Sequence, residues 1–166
     1  MDSRLLQRAV LIYLTISELL VGVWATLFPR SFYDDFPGLG RVWVGVDGPF
    51  NEHLVRDVGQ LSLALGVVGL AAAITMQVVM VRVAGLALVV NGVPHLVYHL
   101  RHLDNYSTGD KIGNVVSLSL LVALPAIVLV MSARDSLSQE APADRHNGRR
   151  SNFEGSEHER DISHTN

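Results

Sequence analysis

Cysteine is absent from this 166-residue chain, and with it go thiol redox chemistry, disulfide exchange, iron–sulfur ligation and thiolate zinc sites. Any transition metal would have to be held by His, Asp or Glu. Charge of one sign is equally scarce: 13 Lys and Arg stand against 16 Asp and Glu. The arginines near the C-terminus are interleaved with acids, so nothing resembles the basic footprint that nucleic acid requires. No HExxH is present, nor the paired Glu and ExxH pattern of di-iron bundles. The "GLG" at 38–40 follows no buried strand and is no phosphate loop, and no Ser, His and Asp arrangement suggests a hydrolase.

What the chain does have is long apolar runs. Residues 9–28, 54–100 and 114–133 are almost entirely apolar, whereas the sequence after Met131 is polar. About 20 apolar residues cross some 30 Å of hydrocarbon at 1.5 Å per residue. The run 54–100 is therefore two spans with a turn near Thr75 to Val78. The pattern predicts an all-α, four-span transmembrane antiparallel helix bundle, with spans at about 9–28, 54–75, 78–100 and 114–133. Residues 1–133 form one membrane domain, and 134–166 form a polar tail too poor in apolar residues to offset its ordering entropy. The tail's His146, His158 and His164 lack ligand spacing. The first run is read as a retained span and not a cleaved signal, because Glu18 interrupts it and "WATLFPR" offers no small-x-small site.

Between the first two spans, residues 29–53 mix aromatics with Gly, Pro and Asp, as expected of a lid-like segment lying at headgroup level. Two crossings later the loop "RHLDNYSTGDKIG" emerges on the same side. Arg4, Arg8, Arg82 and Arg134 lie at one end and Arg30, Arg41, Arg101 and Lys111 at the other. That near-balance, with the polar C-terminal stretch, places both termini in the cytoplasm of a multi-pass cell-membrane protein.

Polar residues inside the spans are the informative exceptions. At roughly 100° per residue, His95, His99 and His102 fall within an arc of about 60°, and Pro94 just before them is expected to kink the helix. His53, Asp57 and Gln60 repeat that spacing on the second span, with Glu52 and Arg56 paired on a neighbouring face. The first span contributes Glu18 on a face with Thr15, Gly22 and Ala25. The fourth begins with Asn114 and Ser117. These groups are expected to converge in the outer half of the bundle.

Such a cluster supports several chemistries. Imidazoles one turn apart form a metal clamp that Glu18, His53 and Asp57 would complete beside His95 and His99. Haem would need axial histidines from two helices, such as His53 with His95 or His99. Arg56, Gln60, His102 and Asn114 would support the site. A proton or small-solute relay could use the same groups, although only Gln77 and Arg82 continue toward the inner end. Alternatively, the cluster is hydrogen-bonded glue in a non-catalytic subunit or scaffold with a membrane-protein partner or a second copy of itself.

Together, "SELLVGVWATLFPRSFYDDFPG", "DGPFNEHLVRDVGQL" and "PHLVYHL" resemble a group of small four-helix membrane proteins of actinobacteria that look distantly like DoxX-type proteins. The resemblance covers roughly residues 10–130. It implies the same antiparallel bundle and a quinone-linked or oxidative-stress redox association, and it carries over no catalytic residue.

Overall fold

A computed structural model describes residues 3–140, with side chains to residue 135. Four long helices are apolar enough to span a bilayer. The first, α1 (Ser3–Leu27), ends where Pro29 opens the short α2 (Pro29–Asp35). Proline fits the first turn of a helix because its missing N–H would have had no intrahelical partner there. A two-stranded hairpin follows, β1 (Pro37–Gly38) antiparallel to β2 (Arg41–Val42). Next come α3 (Glu52–Thr75), α4 (Val78–Arg101) and, after a 3-10 turn at Leu103–Asn105, α5 (Thr108–Glu140).

The spans lie where the apolar runs predicted, with longer ends. Asn51 caps α3, its side-chain oxygen accepting Leu54 N–H at 3.1 Å. Ser107 does the same for α5, accepting Asp110 N–H at 3.3 Å while its hydroxyl donates to Asp110 Oδ2 at 2.6 Å. The turn between α3 and α4 is Met76 and Gln77, Met76 taking the left-handed conformation that ends many helices. Pro94 lies within an uninterrupted α4.

The expected tail boundary at 133 falls inside a helix. α5 continues to Glu140 because "RDSLSQE" contains no Gly or Pro, and adding residues to an existing helix costs far less than starting one. The rest of the tail, including His146, His158 and His164, lies outside the described residues.

Chain contacts divide at Met131. In the unit ending there, α1 and α3 run in opposite directions along a seam of small residues. A Cβ added to Gly59 would stand 2.6 Å from Thr26 N, one on Gly66 2.6 Å from Leu19 Cδ2, and one on Gly69 2.6 Å from Thr15 Oγ1. From the other side, Gly22 meets Leu63 in the same way. Glycine here is a packing requirement, since lipid offers no hydrophobic drive and close backbone approach must supply the attraction. The hydroxyls of Thr15 and Thr26 are buried without conventional partners. Each instead abuts a glycine of α3, the arrangement in which a Cα–H serves as weak donor. Between α4 and α5, Gly85 faces Leu129 and Gly92 faces Val122, again descending in opposite order.

Two apolar cores result. One joins Leu11, Ala72, Val81, Ala84 and Val128 from all four long helices. The other gathers Ala25, Phe32 and Val55 with Trp24, Phe36 and Phe50 beneath the loops.

Candidate functional site

The segment predicted as a lid is folded, and it is fastened to the loop after α4. Tyr106, in that second loop, is buried, and its hydroxyl lies 2.8 Å from the Trp43 carbonyl and 3.1 Å from Asp47 Oδ2. His99 Nδ1 approaches the same oxygen at 3.5 Å. A phenol has one proton, so Tyr106 can serve only one of its two acceptors at a time. The other oxygen of Asp47 is buried without a partner. Burial, and then the neighbouring Asp47 carboxylate, push the Tyr106 hydroxyl well above the ordinary tyrosine range, because both disfavour a phenolate.

A second tie converges on Asp110. Its Oδ1 accepts from Trp43 Nε1 at 2.9 Å and from Arg41 Nη1 at 2.5 Å, while Oδ2 accepts from Ser107. The Trp43 ring also packs over Gly113. No local pattern marks this group, because Trp43, Asp47, Tyr106 and Asp110 come from two separate segments and share no spacing. Their one legible cue was that both loops leave the membrane on the same side.

The predicted constellation is not assembled as expected. Among the described residues no three His, Asp or Glu side chains are grouped so as to hold a metal ion. Glu18 is buried, with Ser62 of α3 as its polar neighbour. Counted from the shared turn at Met76 and Gln77, His95 lies about one helical turn further toward the loops than Ser62. His95 and His99 do meet, their ring centroids 4.7 Å apart, with His99 buried and His95 exposed. His102 stacks on Tyr98 at 4.2 Å and bonds to the Tyr98 carbonyl through Nδ1 at 2.7 Å.

His53 and Asp57 pair with each other at 3.3 Å on an exposed face of α3, and Gln60 is exposed beside them. This stripe points away from α1. The buried face of α3 carries Val55, Gly59, Ser62, Gly66 and Gly69, two residues out of phase with His53, Asp57 and Gln60 and therefore about 200° around the helix. The glycine face takes the contact because only it lets the backbones close. His53, the residue that haem ligation would pair with His95 or His99, is directed outward and engaged by Asp57.

The supporting residues have structural employment. Arg56 pairs with Glu52 at 2.9 Å and also donates to the Thr26 carbonyl, tying α3 to the end of α1. Asn114 is buried with its side-chain oxygen unpartnered, and Ser117 donates to the Asn114 carbonyl at 3.1 Å. Compared with known proteins, the chain matches no family model, no curated protein and no solved structure.

Proposed function

We propose that this chain is a non-catalytic membrane subunit or scaffold, an antiparallel four-helix bundle that holds a folded head at one face of the cell membrane. The carrying observation is where the polar side chains go: Arg56 donates to the Thr26 carbonyl, Tyr106 bonds to Trp43 and Asp47, and Trp43 donates to Asp110. Each bond joins two segments of the chain, which is how polar side chains act as glue between membrane helices. In this reading both termini lie in the cytoplasm and the head faces outward, offered to a protein partner.

A second reading is favoured by one specific geometry. His99, Tyr106 and Asp47 form a row with fewer protons than acceptors, and such a row can take up and release a proton. A quinone-linked redox role, which the DoxX-like resemblance also suggests, would use that row, with His95 beside it.

Purification in mild detergent separates the readings. The scaffold predicts a colourless protein without stoichiometric metal, and a His95→Ala, His99→Ala variant with unchanged absorption. A Soret band, a stoichiometric metal or bound quinone, lost in that variant, would overturn it in favour of the second.

A further inference from the structure

The exposed stripe on α3 raises a question that the head leaves untouched. Helix α3 has 24 residues, about 36 Å of rise, so Gln60, eight residues from its start, lies roughly 12 Å along it and inside a hydrocarbon layer of about 30 Å. Its side chain is exposed and has no hydrogen-bond partner among the described residues. One turn nearer the loops, the exposed His53 and Asp57 have only each other. A carboxamide carries two donors and an acceptor oxygen, none of which lipid can satisfy.

These residues begin a regular seam. His53, Asp57, Gln60, Ala64, Val67 and Ala71 alternate steps of four and three, the heptad spacing of two helices packed at about 20°. Val67 is 62% exposed, although the seam runs directly opposite the one that binds α1. Thus α3 carries two packing seams, and this chain covers one.

We propose that the second seam is a self-association surface, and that a second copy of this chain occupies it with α3 against α3. The seam's own chemistry identifies the occupant. In a two-fold pair sharing one membrane orientation, each residue meets its own counterpart at equal depth, so the surface must be complementary to itself. Gln60 is, since each amide can donate to the other's oxygen. His53 and Asp57 supply a donor and an acceptor one turn apart, able to exchange partners across the axis. Below them Ala64 and Ala71, one heptad apart, let the two backbones approach.

The absence of native cysteine makes the test direct. Single variants of the full chain, Ala64→Cys and Ala71→Cys on the seam and Val58→Cys and Leu70→Cys on exposed faces beside it, are oxidised in native membranes. Disulfide-linked dimers should form from Ala64→Cys and Ala71→Cys and scarcely from the other two. Adding Gln60→Leu to Ala64→Cys should lower the dimer yield roughly three- to fifteenfold, the measured range for an interhelical polar contact. All four positions are outside the packed α1 seam, so the variants keep the fold. No dimer from the seam positions, equal yield from all four, or a yield indifferent to Gln60→Leu would overturn the proposal. None of these outcomes depends on whether the head is a scaffold or a proton-handling site.

Discussion

Asp110 accepts the indole N–H of Trp43 at 2.9 Å across 67 positions of sequence. Because Asp110 is also in the first turn of α5, one carboxylate both completes that helix's start and holds the hairpin loop over it. The positive end of the helix dipole favours the charge there. Asp110→Asn keeps the shape but withdraws the charge that Arg41 and the helix terminus share. The expected outcome is a red-shifted tryptophan emission and a lower melting temperature in detergent, with the span helices intact by circular dichroism. Emission identical to the unsubstituted protein would show that the tie does not hold Trp43 in place.

Tyr106 makes the protein alkali-sensitive. Its folded-state value is raised, so the unfolded chain releases this proton first, from about 10 upward. The stability it contributes is therefore complete below that pH and declines as pH rises toward the folded value. Tyr106→Phe should remove a late step from an alkaline absorbance titration. It should also cost about 1 kcal/mol at neutral pH through the lost hydrogen bond. A titration with the same late step after substitution would assign that step to another tyrosine.

The α1–α3 seam makes unequal demands on its glycines. Gly59→Ala drives a Cβ against the Thr26 backbone nitrogen, which cannot swing away, and should cost about 1–3 kcal/mol. Gly66→Ala meets first the flexible end of Leu19. The better helix propensity of Ala, about 1 kcal/mol, should leave that variant near neutral. Unfolding in mixed detergent measures both, and equal losses would mean that backbone approach is not what the seam requires.

Glu18 and Ser62 should be coupled. A double-mutant cycle with Glu18→Leu and Ser62→Ala is expected to give an interaction of about 0.6 kcal/mol and no more than about 1.7. An additive cycle would place the carboxyl's partner elsewhere.

The spans and the turn at Met76 were legible because they depend on neighbours in sequence, whereas α5 starts at Thr108, six residues before the expected Asn114. An apolar run of bilayer length, a cap residue and a proline act within a few positions of themselves. The helical stripes of polar residues were legible too, but not the direction in which they point. Periodicity places His53, Asp57 and Gln60 on one face of α3 and Gly59, Gly66 and Gly69 near the opposite one, and it treats both as candidates for the interior.

Tertiary packing made that choice. In water a polar stripe declares the outside, but in lipid there is no hydrophobic drive between helices, so contact goes to the face that permits the closest backbone approach. The glycines won, and His53, Asp57 and Gln60 were left on the exposed face. The loops were decided later still. Asp110 with Trp43 and Tyr106 with Asp47 exist only because the helices bring two distant segments to the same end of the molecule, which no local pattern encodes. The sequence by itself determined how much of the chain lies in the membrane; which polar groups meet there was settled by the steric accessibility of helix backbones.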